Sequence, residues 1–432
     1  MNLSPKKVLI LCNDFPPINS IGADRPYSWY LYFKEFGLEP IVITKNWMSD
    51  GNTPFSEVNK IGTQEKTEFG TIIRSAKSKT PSIWFRDKFG TKFSMARKAL
   101  TFIEKLFSFN FFFLDQHRSI YYEAQKYLAK NEVFAVITTG EPFILFRYGY
   151  LLKSEFNVKW IADYRDGWYL NHVRSLQKDP LNKLIRKIEL KFEKRYTSKA
   201  DFLTTVDPEL ADRIQTLTKV RTEVIYNGFW DFYPEVPIPD NKPKIVLNHT
   251  GTLTIGQRLE FLLDTLVELK EENKIDSNYI RLNLIGLEYY PAQMARLEPY
   301  KNILGEIIKT TPRLSKDEAV KMNLEADYLI NFTDPNLSAI YAKTYDYIAC
   351  RKPILVMPGD EKLLDELIKH NNLGIVIHSK EELTSLLLNP VKTNKTTNKI
   401  DFFLRKNQTK RFIDLISYPL NSINNLIVNN LS

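Results

Sequence analysis

The sequence predicts an α/β protein of two domains, each built on a doubly wound parallel sheet with covering helices. The chain has 432 residues, and one hydrophobic core rarely serves that many, so two domains of about 200 residues each are expected. In both halves, short apolar runs alternate with helical patterns, which is typical of parallel sheets. Between the halves lies a segment, 234–244, that carries four prolines among charged residues.

The first half follows the order strand, loop, helix, strand. The continuous apolar run from Val8 to Leu11 predicts a buried strand, and a helix is predicted from Pro26 to Phe36. Asp207 before Pro208 predicts another helix start, because the carboxylate caps free amides and proline fits the first turn. The remaining strands are predicted at 41–44, 134–138, 160–162, 202–205 and 223–225.

The second half repeats this alternation. Ser315 and Glu318 have the spacing of a capping box and predict a helix start. Further helices are predicted at 259–269 and 339–350, and a polar stretch leads to a helical segment from Asp401. The strands are predicted at 245–247, 280–285, 328–331 and 354–357.

These elements define the expected domains. We expect an N-terminal domain at 1–232 with an insertion at 48–114, a linker at 233–243, and a C-terminal domain at 244–395. A C-terminal helical segment, 396–432, could cross back to the first domain. Because open parallel sheets bind ligands beyond the carboxyl ends of their strands, we expect the two sheets to face a cleft. Its loops would follow Leu11, Thr138, Ala162, Leu247, Ile285 and Asn331.

The net charge of +9 indicates an anionic partner, namely a phosphate-bearing substrate, an anionic membrane surface or nucleic acid. Most of the excess lies between Gly70 and Asn110, where nine lysines and arginines face two acidic residues. The basic, aromatic stretch from Ile83 to Leu114 fits a surface against anionic lipid headgroups. A solvated helical face packed by its aromatics explains it equally well.

The cysteines and histidines predict neither disulfides nor a metal site. Only Cys12 and Cys350 are present, and the five histidines lack metal-ligand spacing. No apolar run reaches the roughly 18 residues that span a bilayer, and the N-terminal apolar run is too short for a signal peptide. We therefore expect a cytoplasmic protein without a metal or other cofactor.

The segment from Ser338 to Pro353 predicts a phosphate site, because a helix N-terminus that follows a strand offers free amides to an anion. Lys343 and Asp346 lie three residues apart and thus on one helix face. One cation for phosphate and one carboxylate for sugar hydroxyls would suit a nucleotide sugar. From spacing alone, an ordinary amphipathic helix with an exposed ion pair is the more common explanation.

This run resembles the Lys-x-x-Glu-Tyr-Leu-Ala-x-x-Lys-Pro-Ile-Leu variant of the donor motif in group 1 (family four) glycosyltransferases of the GT-B fold. The resemblance implies two Rossmann-like domains facing a cleft, with the donor nucleotide sugar held by the C-terminal one and the acceptor by the N-terminal one. It implies that Asp346 binds the ribose hydroxyls and that Lys343 lies toward the diphosphate. The more common family pattern has two glutamates eight positions apart, and Ser338 stands in place of the first.

Two further loops extend the resemblance on the donor side. The stretch 248–258 resembles the family's Gly-x-Leu loop followed by a basic residue, with Gly251 allowing close backbone approach and Arg258 available to a diphosphate. An ordinary turn explains it equally well. The stretch from Asn13 to Arg25 resembles the Phe-Pro-Pro and glycine loop after the first strand, where Gly22 and Arg25 could reach phosphate. A proline-stiffened surface loop is the alternative.

Two first-half segments resemble those of a subgroup with Ser-x-Pro-Pro and Ala-Asp-Phe-Arg-Asp-Pro-Trp, namely 138–142 and 160–168. Glu141 and Asp166 could accept hydrogen bonds from acceptor hydroxyls, and Arg165 is a third acceptor-side candidate. Asp163 with Arg165 could equally form a structural ion pair. The Asn-Gly at 227–228 resembles the family's pair before the interdomain linker.

The resemblance implies a retaining, metal-independent hexosyltransferase that acts on a saccharide or lipid-linked saccharide in cell-surface polysaccharide or lipopolysaccharide synthesis. It would be cytoplasmic and could be peripheral at the inner membrane face, with no nucleic acid as partner. No general base is assigned, and retention without a clear nucleophile implies front-face attack. Two alternatives remain, a nucleotide-sugar epimerase or hydrolase of the same fold, and a non-catalytic membrane or nucleic-acid binding module on a degenerate version of it.

Overall fold

The computed structural model describes residues 5–18, 20–48, 57–90, 93–171, 179–237, 241–391 and 398–417. The chain divides into two compact units. Unit 1 comprises Met1–Tyr226 with Arg405–Ser432, and unit 2 comprises Asn227–Leu404. Parts of the predicted insertion, linker and C-terminal segment lie outside the described residues, at 49–56, 91–92, 238–240, 396–397 and 418–432.

Unit 1 is built on an eight-stranded sheet with the order β10-β9-β8-β7-β1-β2-β6-β5. All of its neighbouring pairs are parallel except β5 with β6. Strands β3 and β4 form a separate antiparallel pair. The strands are β1 (Lys6–Leu11), β2 (Leu38–Lys45), β3 (Trp47–Met48), β4 (Glu57–Val58), β5 (Thr63–Lys66), β6 (Thr71–Ser75), β7 (Ala135–Gly140), β8 (Trp160–Tyr164), β9 (Phe202–Thr205) and β10 (Thr222–Val224).

Helices cover both faces of this sheet. The helices of unit 1 up to residue 226 are α1 (Ile21–Tyr32), α2 (Pro81–Phe89), α3 (Ser94–Asn110), α4 (Arg118–Leu128), α5 (Ile144–Phe156), α6 (Pro180–Thr197) and α7 (Pro208–Thr218). Leu9 and Leu11 of β1 pack into one hydrophobic cluster with α4, α5 and α6. Val8 and Ile10 pack into another with α1. Because successive strand residues point to opposite faces, an apolar run without polar interruption is what a sheet covered on both faces requires.

Unit 2 is built on a six-stranded parallel sheet with the order β13-β12-β11-β14-β15-β16. Its core joins leucines of the central strands to leucines of the helices that flank them. The strands are β11 (Ile245–Thr250), β12 (Ile280–Ile285), β13 (Ile308–Thr310), β14 (Tyr328–Phe332), β15 (Ile354–Met357) and β16 (Gly374–Val376). The helices are α8 (Leu259–Glu271), α9 (Pro291–Met294), α10 (Glu298–Leu304), α11 (Lys316–Glu325), α12 (Ala342–Ala349), α13 (Leu363–His370) and α14 (Lys380–Leu388).

The last described helix, α15 (Arg405–Ser417), belongs to unit 1. Its Phe412 is fully buried against Trp29 of α1, with ring centroids 4.8 Å apart. Helix α15 therefore completes the layer that α1 begins on one face of the unit 1 sheet. Among the described residues, no helix is both long enough and apolar enough to cross a lipid bilayer.

The predicted α/β class with parallel sheets is confirmed, and several element boundaries differ. The first helix begins at Ile21 and not at Pro26, because the Ser20 hydroxyl accepts a hydrogen bond from the Gly22 N–H and caps the helix earlier. The helix predicted at 339–350 begins only at Ala342, because Tyr341 has an extended backbone. The capping box at Ser315 is present as predicted.

In each of the two large sheets the strand order reverses once. Successive strands are added first on one side of a central strand and later on its other side. In unit 1 the chain leaves β1 towards β2 and β6, and later continues from β7 on the other side of β1. In unit 2 the same reversal occurs between β11 and β14. The loops after two such strands diverge and leave a crevice, which is where open α/β sheets bind ligands.

At the unit 1 reversal, a buried ion pair joins α1 to β8. Nε of Arg25 lies 3.0 Å from both carboxylate oxygens of Asp163, and Nη2 lies 2.6 Å from Oδ1. Nη1 donates to the carbonyl of Ile225 at 2.6 Å. Both side chains are almost fully buried, so Arg25 has structural partners and is not presented to a ligand. This arrangement does not support its predicted contact with phosphate, and it replaces the alternative pairing of Asp163 with Arg165.

Removing this arginine should destabilise unit 1 strongly. Arg25→Ala leaves the Asp163 carboxylate buried without its cation, and loss of one partner of a buried ion pair costs about 3–5 kcal/mol. Urea denaturation of the full chain measures the free energy of unfolding. Arg86→Ala is the control, since Arg86 and Asp87 form an exposed pair that should contribute at most about 1 kcal/mol. Equal effects of the two substitutions would contradict the structural role of Arg25.

Candidate functional site

The candidate site lies in unit 2, beyond the carboxyl ends of β11 and β14. The loop after β11 turns at Gly251, whose φ of +86° favours glycine. The N–H of Gly251 donates to the carbonyl of Ile285 at 2.8 Å. The N–H of Arg258 donates to the carbonyl of Thr333 at 3.2 Å, which joins the end of the loop to β14. The loop is thus held at both ends by the two sides of the reversal point.

Lys343, in the first turn of α12, points its ammonium into this loop. Its Nζ lies 3.0 Å from Nε2 of His249 and 3.1 Å from the carbonyl oxygen of Thr252. Nδ1 of His249 lies 2.9 Å from the carbonyl oxygen of Ile330. Since a carbonyl only accepts, the proton of the neutral ring resides on Nδ1, and Nε2 accepts from Lys343.

This environment perturbs both titratable groups. Burial lowers the pKa of Lys343 from its usual 10.5 to about 7, because a buried ammonium loses its hydration. Burial and the neighbouring Lys343 hold the pKa of His249 well below its usual range, so the ring stays neutral. Strong pKa shifts of this kind concentrate at functional sites.

Two further features shape the loop. A Cβ on Gly256 would lie 2.0 Å from Oδ2 of the buried Asp334, so the loop packs directly against the residues after β14. The side chain of Arg258 is exposed at the start of α8. Among the described residues it makes no side-chain hydrogen bond or ion pair, which leaves its guanidinium available to solvent.

The structure separates the remaining donor-side residues. Ser338 is half-buried in the loop before α12, beside Asp360 and Lys362. Asp346 is half-buried on α12, with its Oδ1 3.6 Å from Nζ of Lys316. Lys343 and Asp346 share a helix but have different partners.

In unit 1, Arg165 connects three loops at the sheet's carboxyl edge. Its Nε donates to the carbonyl of Gly140 at 2.7 Å and its Nη2 to that of Glu141 at 2.9 Å. Its Nη1 lies 3.8 Å from Oδ2 of Asp14. A Cβ on Gly22 would lie 1.7 Å from the same Nη1, so a larger residue there would displace the Arg165 guanidinium. The predicted acceptor-side residues Arg165 and Glu141 are thus in contact.

The carboxylates of Glu141 and Asp166 are both exposed. Oδ1 of Asp166 accepts from the N–H of Gly167 at 2.8 Å, and Oδ2 lies 3.4 Å from Nδ2 of Asn171. Across the described ranges, no group of three or more His, Cys, Asp or Glu side chains is arranged to hold a metal ion. Both cysteines are free and buried.

Sequence reasoning missed His249, the partner of Lys343. The predicted strand ended at Leu247, whereas β11 continues to Thr250. The signal was the polar run Asn248, His249 and Thr250 directly after buried residues of the central strand, at the edge where ligands bind. The contact between the N–H of Thr250 and the hydroxyl of Tyr347, at 2.8 Å, was missed for the same reason.

Comparisons with known proteins identify the fold of the chain. No protein-family model matches the chain, and no curated protein matches it. Solved structures do match over nearly the whole length. Sucrose-phosphate synthase from Thermosynechococcus elongatus is 14% identical, with a TM-score of 0.58 and 95% coverage of both chains.

Two further solved structures also match the chain over nearly its whole length. HepE from Anabaena in complex with UDP-glucose is 11% identical, with a TM-score of 0.51 and 99% coverage of both chains. The lipopolysaccharide outer core galactosyltransferase WaaB is 13% identical, with a TM-score of 0.52 and coverage of 95% of this chain and 99% of that one. At such identities the likeness establishes the fold alone. The chain therefore has the GT-B fold of these glycosyltransferases, an α/β architecture of two Rossmann-like parallel-sheet domains.

Proposed function

We propose that the protein is a glycosyltransferase that moves a sugar from a nucleotide diphosphate sugar to a saccharide acceptor. The observation that carries this proposal is the half-buried ammonium of Lys343, held by His249 and the Thr252 carbonyl at the reversal point of the unit 2 sheet. A cation that is partly withdrawn from water and contacts only neutral groups gains from a partner anion. A diphosphate would supply that anion.

The donor would be bound by unit 2. Lys343 and the exposed Arg258 would contact the diphosphate, with help from the free amides at the start of α12. Asp346 would accept hydrogen bonds from the ribose hydroxyls, and Gly251 would let the backbone approach the ligand. Ser338, in the loop before α12, would lie towards the sugar. Gly22 would act through loop packing in unit 1.

For the reaction, we propose retention at the anomeric carbon, as in the group 1 (family four) glycosyltransferases whose donor motif the run 338–353 resembles. Lys343 and Arg258 would stabilise the charge that develops on the leaving diphosphate, which is electrostatic catalysis by groups already in place. This assignment gives the neutralising role to side chains and assigns none to a metal ion. Glu141, Arg165 and Asp166 of unit 1 would contact the acceptor.

Nucleotide binding tests the proposal directly. In a thermal-shift screen of nucleoside diphosphates and nucleotide sugars, at least one ligand should raise the melting temperature, because it binds only the native state. For that ligand, Lys343→Met should weaken binding about 10- to 100-fold, as expected for a lost hydrogen bond to a charged group. Asp346→Ala should also weaken it. Isothermal titration calorimetry measures both.

The matched control is Lys369→Met, since Nζ of Lys369 also lies near a histidine nitrogen, Nε2 of His378 at 3.4 Å, on an exposed part of unit 2. The affinity of Lys369→Met for the same ligand should equal that of the wild type. Equal affinities for all variants, or no ligand from the screen, would refute the site. Release of free sugar or an epimer without acceptor would indicate a hydrolase or epimerase instead.

Affinity should also depend on pH in a defined direction. Burial lowers the pKa of Lys343 to about 7, so the lysine is protonated below that pH and loses its charge above it. Affinity for a nucleotide sugar should therefore fall as the pH rises from 6 towards 9. UDP-glucose is a suitable probe because its diphosphate does not titrate in this window. In Lys343→Arg the guanidinium stays charged, so the affinity should depend less on pH than in the wild type. The same pH dependence in both proteins would contradict the role assigned to Lys343.

We further propose that the protein works at the cytoplasmic face of a membrane, on a lipid-linked saccharide of cell-surface polysaccharide or lipopolysaccharide synthesis. Helices α2 and α3 expose large apolar side chains, among them Trp84, Ile103 and Phe107. Lys88 and Lys98 are exposed on the same two helices. Apolar side chains mixed with cations suit an anionic bilayer surface.

Vesicle binding tests this assignment. The wild type should co-sediment with vesicles that contain phosphatidylglycerol, more weakly in high salt, and poorly with pure phosphatidylcholine vesicles. The double substitution Ile103→Ser and Phe107→Ser should weaken binding roughly tenfold or more, since two apolar side chains no longer enter the bilayer. Ile61→Ser, at another exposed isoleucine of unit 1, is the control. Binding that is indifferent to lipid charge and to all three substitutions would refute the membrane surface.

A further inference from the structure

A pocket of about 400 Å³ lies in unit 1, beyond the carboxyl end of β7. Its walls come from α2 and α3, from the segment just before α4, from the loop after β7 and from α6. The volume falls within the range of sites for small organic ligands. Because α2 and α3 belong to the insertion, the insertion forms one side of this pocket. Glu141, the predicted acceptor-side residue, lies on another side of the pocket.

Two buried polar atoms on the pocket wall have no hydrogen-bond partner among the described residues. They are Oγ of Ser108, a residue with 0% exposure, and Nδ1 of His117, with 8% exposure. A buried polar atom without a partner is unfavourable. Ligand hydroxyl groups both donate and accept, and can satisfy a serine hydroxyl and a ring nitrogen together.

The charged residues on the pocket wall are mostly acidic. They comprise four carboxylates, those of Glu104, Asp115, Glu141 and Glu189, and one lysine, Lys105. Nζ of Lys105 lies 2.5 Å from Oε1 of Glu189, so this lysine is already paired. Burial and the nearby Lys45 hold the pKa of His117 well below its usual range, so the ring adds no positive charge. A phosphate would be desolvated beside like charges here, which is unfavourable.

The carboxylates are fixed in place by hydrogen bonds. Oε1 and Oε2 of Glu104 accept from the N–H and the hydroxyl of Ser82, both at 2.5 Å. Asp115 accepts from the hydroxyl of Tyr148 at 2.5 Å and from the N–H of His117 at 2.7 Å. The carboxylates of Glu104 and Asp115 are therefore held in fixed positions on the pocket wall.

An aromatic cluster forms the apolar side of the pocket. The rings of Phe143 and Trp168 stack at 5.1 Å with an interplanar angle of 2°, and Phe109 lies 5.2 Å from Trp168. All three residues line the pocket. A pocket with one apolar side and polar groups that favour hydroxyls suits a sugar ring, whose C–H groups are apolar and whose edge carries hydroxyls.

We propose that this pocket binds the terminal sugar of the acceptor, and that this sugar carries hydroxyl or ammonium groups and no phosphate. The inference rests on the proposed glycosyltransferase function and specifies its acceptor class. It assigns acceptor binding to the insertion, through Ser108 and Glu104 of α3, together with His117. The acidic wall excludes sugar phosphates and accepts neutral or amino sugars.

Saturation-transfer NMR on the full chain tests the inference, with and without UDP or GDP. The probes are methyl hexosides, methyl 2-amino-2-deoxyhexosides and hexose 6-phosphates. We expect signals from at least one methyl glycoside and weaker or no signals from the phosphates. Ser108→Ala should weaken glycoside binding about two- to tenfold. Its melting temperature should be unchanged or higher, because the hydroxyl has no protein partner.

The matched control is Thr409→Val, which removes another buried hydroxyl without a partner, on α15 and outside the pocket. It should bind glycosides like the wild type. Glu104→Gln keeps one acceptor oxygen for the Ser82 N–H, its amide NH2 can donate to the Ser82 hydroxyl, and one charge is removed. The variant should therefore bind hexose phosphates better relative to methyl glycosides. This change in selectivity would not follow from a purely structural role.

Three results would overturn the inference, namely no glycoside signal in any condition, a preference for hexose phosphates, or equal binding by Ser108→Ala and Thr409→Val. The nucleotide titration separates this inference from the proposed function. Nucleotide binding without glycoside binding would refute the acceptor pocket but not the donor site. Glycoside binding without nucleotide binding would support a saccharide-binding pocket and refute the proposed transferase function.

Discussion

Parallel pairing of the central strands in the two large sheets is the constraint on which the rest of the structure depends. Where neighbouring strands run the same way, their carboxyl ends meet at one edge, and every loop that leaves that edge is brought near its neighbours. The central strands each carry a buried apolar run, Val8–Leu11 in β1 and 245–247 in β11. Polar side chains follow these runs only at the carboxyl end, as Asn248 and His249 do within β11. Both groups of candidate residues lie there.

At that edge, the two units use their cationic side chains differently. In unit 1 the guanidinium of Arg25 is neutralised by Asp163 and serves the packing of α1 against β8. In unit 2 the Lys343 ammonium contacts a neutral ring and a carbonyl oxygen. The first arrangement is closed, whereas the second retains the capacity to bind an anion. The distinction separates a structural cation from a candidate ligand-binding cation although both were selected by the same sequence reasoning.

The sequence predicted the elements best where burial alone decides them. The strands at 202–205, 280–285 and 354–357 agree with the structure to the residue, because short runs rich in apolar and β-branched residues are typical of buried strands. Strand β5, with four exposed polar residues, was missed because its position depends on pairing with β6 and not on its own composition. The start of α12 was misplaced because the extended backbone of Tyr341, which delays the helix, depends on packing that no local pattern records.

The site was predictable in its location and less so in its contacts. Glycines and cations after predicted strands identified the loops that the structure brings to the carboxyl edge. The partner of each side chain was not accessible, since Arg25 and Asp163 are separated by 138 residues and Lys343 and His249 by 94. Such pairs follow from the order of strands in the sheet, and strand order is a property of the whole fold.

The return of α15 to unit 1 gives the polypeptide a nested order, in which residues 227–404 are inserted between two parts of one other unit. Where the chain enters and leaves this stretch, the N–H of Phe229 donates to the carbonyl of Phe403 at 3.0 Å. The two junctions are thus adjacent, as the ends of an exchangeable module should be. A chimaera with a protein of the same fold should therefore exchange unit 2 as a single cassette with both junctions, since a single cut at the middle of the chain would leave unit 1 without α15.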